Sequence, residues 1–268
     1  MRQVLPAVMI VAALGAAVLA SKQGRSRESL LPLSRTVAEH EKALDRTAAV
    51  VFPLSADEER AIGERLDASM REAPAAPGTP RATREALWRE MGMTAAASPL
   101  VVRFRGRVVF RVAGRGLNAF ALPGGFVYCT DALLEKLRSD TDAIMFVAGH
   151  ELGHIELGHT ADAYRLGQGK DPVTAVLGGV ASVARVFAEL HFSPSQELEA
   201  DAYAVRLLRS LKRDPRAGLR ALDALGLPPD GDTKRDPGRV VLEGVSDYFA
   251  THPGSWERRA ALEKEAAR

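Results

Sequence analysis

Two histidines and a glutamate stand together as His150-Glu151-x-x-His154 in a chain of 268 residues, and on a helix this spacing is one that binds zinc. Residues four apart lie about 40° from each other around a helix axis, so His150 and His154 can offer ring nitrogens to one ion. Glu151 is offset by about 100° from His150, which puts it beside such an ion rather than on it. That position suits a general base. A zinc-coordinated water has its pKa lowered to about 7, and a neighbouring carboxylate can take its proton.

A hydrolytic zinc site usually has three protein ligands and one open position, so a third ligand must come from elsewhere in the chain. His159 is nearest in sequence, but on a continuous helix it lies about 180° from His150 and faces away. A helix-breaking version of the motif needs glycine at 157 and histidine at 160, where this chain has Leu157 and Thr160. Cys129 would suit a Cys-His-His site of the deformylase kind but ends a β run without the expected glycine-rich setting. Glu197 is the favoured candidate. Ser193 caps and Pro194 opens a new helix, so Glu197 falls just inside it with Asp201 one turn on. Glu197 then completes a His-His-Glu set, while Asp201 can hydrogen-bond the outer nitrogen of a ligand histidine. An acidic first turn favoured by the helix dipole would explain Glu197 and Glu199 but not Asp201.

The elements that must carry these residues follow from periodicity and caps. Asp140 or Thr141 caps the motif helix, which is apolar nearly all round and must be buried at the centre of the domain. In it, Gly153 leaves room near the metal for substrate or another ligand. Upstream, residues 34–49 and 54–72 read as amphipathic helices packed outside the catalytic unit, the second opened by a capping box at Ser55. Residues 73–80 read as a linker, followed by a short helix near 83–91. From Val101 to Val112 the period changes to two, with Val102, Phe104, Val108, Phe110 and Val112 facing inward. Arg103, Arg105, Arg107 and Arg111 then form a solvated face. Residues 118–129 form two short apolar runs around Pro123-Gly124-Gly125, which belongs at a sheet edge or turn. From the residues alone, an ordinary hairpin and an edge strand that pairs with substrate both remain open. Thr130 caps a helix to about Ser139. Residues 173–190 read as a packed or lid-like helix, 214–225 as a further helix, and 227–238 as a surface loop.

Composition narrows the setting. Lys plus Arg total 36 against 34 Asp plus Glu, so no global field draws nucleic acid, and no nucleic-acid motif is present. The single cysteine excludes an intramolecular disulfide. An uncharged stretch from Val4 to Ala20, between Arg2 and Lys22, reads as a secretory signal or membrane anchor. The expected organisation is therefore residues 1–20 as signal or anchor, 21–80 as a helical segment and linker, and 81–268 as the metal-binding domain.

Taken together, the motif at His150, the Glu197-x-x-Ala200-Asp201 segment, Asn118-Ala119-Phe120-Ala121 with Gly124-Gly125, and Thr251-His252-Pro253 with Glu257-Arg258-Arg259 resemble the M48 peptidase family over about residues 98–262. The resemblance implies an α+β, mostly helical, zincin-type fold with a small sheet packed on the motif helix. It implies one zinc per chain held by His150, His154 and Glu197, with Glu151 and His252 as catalytic residues and Asp201 behind the ligands. His252 would approach the metal site, either hydrogen-bonding the tetrahedral intermediate or occupying the open position at rest. Residues Asn118, Ala119, Phe120 and Ala121 would bind substrate. The implied activity is endopeptidase action on misfolded or membrane-associated proteins of the cell envelope, in a soluble or singly anchored form. The alternative function is a zinc-stabilised binding or chaperone-like module whose site is closed and weakly active.

Overall fold

Ser55 opens the first described helix as a reciprocal cap: its hydroxyl accepts from Glu58 N and the Glu58 carboxylate accepts from Ser55 N. The resulting helix, α1, runs Ala56–Met70. The computed structural model describes residues 54–170, 192–226 and 256–268. Expectations for the Val4–Ala20 stretch, the 34–49 helix, the 173–190 helix, the 227–238 loop and His252 lie outside those residues. Helix α2 spans Pro80–Ala96, longer than the segment expected near 83–91, because Thr79 caps it and Pro80 occupies its first position. Most of the expected 73–80 linker precedes that cap.

Three strands follow: β1 Val109–Val112, β2 Ala119–Leu122 and β3 Phe126–Cys129. Their order is β1-β3-β2, with β1 parallel and β2 antiparallel to β3. The β2–β3 pair is a hairpin turning at Pro123-Gly124-Gly125. Strand alternation divides the sheet into two apolar faces. Phe120, Leu122, Phe126 and Tyr128 pack with Ile62 and Leu66 of α1. Ala119, Ala121, Val127 and Cys129 face the main core.

Helix α1 is thus a covering layer of the sheet, and two of its carboxylates reach into it. Glu59 is fully buried and pairs with Arg103; burial raises its pKa despite that partner. Asp67 accepts from Arg111 Nε at 2.7 Å and from the Tyr128 hydroxyl at 2.7 Å. Burial alone would raise the Asp67 pKa, but these donors outweigh it and hold the group below the usual range. Gly63 permits the close approach, since a Cβ there would lie 2.0 Å from the Pro123 carbonyl oxygen.

The period-two reading of residues 101–112 holds only for its last four residues. Residues 103–107 form turns, with Arg107 N donating to Phe104 O at 2.8 Å and Gly106 at φ +72. Val102 is 65% exposed rather than inward. Only half of the arginine row is a solvated face: Arg105 and Arg107 are exposed, whereas Arg103 and Arg111 turn to the buried carboxylates of α1.

The remaining elements are helical: α3 Asp131–Lys136, α4 Thr141–Glu156, α5 His159–Lys170, α6 Pro194–Ser210, α7 Ala217–Ala224 and α8 Trp256–Ala266. The fold class is α+β, mostly helical, with the small sheet packed on α4. Helix α4 is capped by Asp140, which accepts from Ala143 N at 3.0 Å, and every residue from Ala143 to Ile155 is buried. It is the axis of the core, flanked by α2, α6, α7 and the sheet. Among the described residues, no helix is long and apolar enough to cross a membrane.

Candidate active site

The site forms where α4 and α6 cross, and the crossing is close because small residues line it. Gly149 and Gly153 of α4 face Ala200 and Ala204 of α6. A Cβ at Gly153 would sit 3.1 Å from Ala200 Cα and 3.2 Å from Tyr203 Cβ. Gly153 therefore gives its space to the backbone of the helix that carries Glu197, which fits the expected approach of another ligand and not the expected room for substrate. Gly153→Ala is expected to cost about 1–3 kcal/mol by overpacking, measured by denaturant unfolding beside Gly149→Ala, where a Cβ at 3.4 Å is ordinary contact.

Across this seam three side chains converge. His150 Nε2 lies 3.1 Å from His154 Nε2, 3.4 Å from Glu197 Oε2, and His154 Nε2 lies 3.5 Å from Glu197 Oε1. All three residues are fully buried, and their ligand atoms lie within 4.8 Å of one another, as one metal ion requires. Glu151 is buried on α4 beside His150. The donor set, two imidazoles and a carboxylate, is one that zinc accepts. Charge points the same way. With His150 neutral, as a metal ligand must be, ionised Glu151, Glu197 and Asp201 carry three negative charges against one positive charge on Arg258, so a divalent cation balances the cluster.

Behind the cluster, each imidazole has a partner at its other nitrogen. His150 Nδ1 lies 2.9 Å from Asp201 Oδ1, and Asp201 accepts from Arg258 Nε and Nη2, both at 2.8 Å. Arg258 Nη1 reaches Glu197 Oε2 at 2.8 Å. Burial alone lowers the His150 pKa, but Asp201 and Glu197 outweigh it and raise the group to about 9. Burial would raise the Asp201 pKa; the Arg258 charge and His150 hold it below the usual range instead.

His159 overturns an expectation. Helix α4 ends at Glu156, Gly158 adopts φ +85, and α5 starts at His159, so the helix is not continuous through this segment. That left-handed residue favours glycine. The turn returns His159 to the site rather than away from it. Its Nδ1 lies 3.0 Å from His154 Nδ1. Burial lowers the His159 pKa to about 4, against the opposing pull of Glu199.

Other expected residues are placed as follows. Cys129 is buried in β3, where its thiol donates to Thr130 O, and burial pushes its pKa well up. It is not in the ligand group. Asn118 and the β2 residues Ala119, Phe120 and Ala121 lie at the start of the hairpin, with β2 at the sheet edge among the described strands and packed on α4. In the sequence, Arg258 stands only as part of a carboxy-terminal pattern. The signal that could have found it is physical: two carboxylates on one buried helix face need a cation.

The model of peptidase family M48 matches residues 83–266, more than half of the chain. The chain belongs to peptidase family M48. Its α+β architecture is the zincin-type fold of that family. Among proteins similar to it is the mitochondrial metalloendopeptidase OMA1 of Arabidopsis thaliana, 30% identical over 156 residues, which are 54% of this chain and 29% of that protein. Metalloprotease LoiP of Escherichia coli K12 is 28% identical over 54% of this chain and 56% of its own length. Metalloprotease YcaL of the same organism is 29% identical over 53% and 55%. The matched stretches cover less than two thirds of each relative.

Proposed function

We propose that this M48 member is a zinc-dependent endopeptidase in which His150, His154 and Glu197 hold one zinc ion per chain. The observation that carries the reading is the convergence of those three buried side chains next to Glu151. A bound zinc supplies a Lewis acid that polarises a carbonyl oxygen and lowers the pKa of a water to about 7. Glu151 accepts the proton of the attacking water and returns it to the leaving amine. Asp201, with Arg258 behind it, orients His150, and Arg258 also holds Glu197 in place. We assign Asn118, Ala119, Phe120 and Ala121 to substrate binding on the resemblance of their segment to the family and on the packing of β2 beside α4. His252 is assigned a catalytic role on the resemblance of its segment to the family.

The substrates we assign are unfolded or membrane-associated proteins of the cell envelope. The uncharged stretch from Val4 to Ala20 supports export or anchoring there, with residues 81–268 as the peptidase domain. The full chain is expected to carry close to one zinc per molecule and to cleave casein. A protein that takes up no zinc, or cleavage that survives exhaustive chelation, would overturn the reading.

A further inference from the structure

We propose that His159 is a positioning residue for His154: it accepts the Nδ1 proton of His154 and so leaves the Nε2 lone pair aimed into the ligand cluster. The proposal rests on the reading of His154 as a metal ligand.

The direction of the hydrogen bonds follows from what each partner can do. Glu199, on the first turns of α6, places Oε2 3.4 Å from His159 Nε2. An ionised carboxylate only accepts, so His159 Nε2 is the donor. A neutral imidazole has one N–H, so His159 Nδ1 is then the acceptor. His154 Nδ1, 3.0 Å away, must be the donor in that contact. His154, neutral in turn, carries its lone pair on Nε2, the atom that faces His150 Nε2 and Glu197. The reverse tautomer would place a proton where an ion must bind. Ring orientation is held independently. Phe192 stacks on His154 with centroids 3.7 Å apart and planes 19° from parallel.

The two ligand histidines are therefore fixed by different devices. His150 is served by an acidic partner from α6. His154 is served by a histidine that reaches it only because Gly158 breaks the helix, with Glu199 behind.

The test compares His159→Leu, which keeps bulk without an acceptor, with His159→Asn, whose side-chain oxygen occupies the place of Nδ1. Zinc affinity is read by competition with a chromogenic chelator. His159→Leu is expected to bind zinc about 10–100-fold more weakly, and His159→Asn to stay within about threefold of the full-length wild type. Nitrogen-15 NMR of the wild-type imidazoles, recorded without metal, is expected to show His154 protonated at Nδ1; it decides the question even if His159→Leu does not fold. Protonation at Nε2, or equal zinc affinity of the two variants, would overturn the proposal. None of these readouts involves peptide hydrolysis. A protein that binds no zinc sinks the metal reading and this role together; zinc bound equally well by the leucine variant sinks this role alone.

Discussion

Glu151→Gln is expected to lower casein hydrolysis by about 10²–10⁴-fold, the usual contribution of a general base, while the protein still binds one zinc. That loss corresponds to about 2.7–5.4 kcal/mol of transition-state stabilisation. The substitution keeps the size and most of the hydrogen-bonding capacity of a fully buried side chain on α4, so neither packing nor the ligand group changes. Only the capacity to accept a proton is removed. The measurement is kcat for both proteins at matched zinc content. A variant that retains more than about a tenth of wild-type kcat would show that Glu151 is not the base.

Arg258→Met is expected to destabilise the metal-free protein by about 3–5 kcal/mol, the cost of breaking a buried ion pair by removing one partner. For a domain of this size that is a fall in Tm of roughly 6–20 °C. Arg258 is 1% exposed and its guanidinium bridges Asp201 and Glu197. Methionine fills much of its volume but leaves the two carboxylates with one cationic partner, His150, between them. Working without metal separates folding from binding, and calorimetry with and without chelator gives both. Arg258→Lys keeps the charge but not the planar fork, so an intermediate loss is expected. A change below about 1 kcal/mol for Arg258→Met would mean that one of the carboxylates is protonated in the folded state.

The centre of the site was legible because its signals are local. His150, Glu151 and His154 lie on one helix, where four-residue spacing alone sets their relative directions. The cap at Ser193 and the proline at 194 were enough to start α6 and put Glu197 and Asp201 on one face. The hairpin at Pro123 and the cap at Ser55 were readable in the same way. What was not legible depends on contacts distant in sequence. Arg103 and Arg111 looked like a solvated face because their partners, Glu59 and Asp67, are some forty residues upstream. Gly153 reads as space for substrate or another ligand because the helix that fills it, the one carrying Glu197, is some forty residues downstream. His159 was misdirected by assuming that α4 continues; Gly158 was present in the sequence, but a glycine within a helical pattern does not by itself announce a break.

Helix α1 bears on where this protein can be cut. The family match begins at residue 83, and by similarity alone a trimmed protein would start there. Such a fragment would lose Glu59 and Asp67, leaving Arg103, Arg111 and the Tyr128 hydroxyl without their carboxylates. It would also open to water the sheet face made by Phe120, Leu122 and Phe126. That sheet supports α4 from its other side, so a piece that keeps this covering layer must reach back at least to the Ser55 cap rather than only to the edge of the family match.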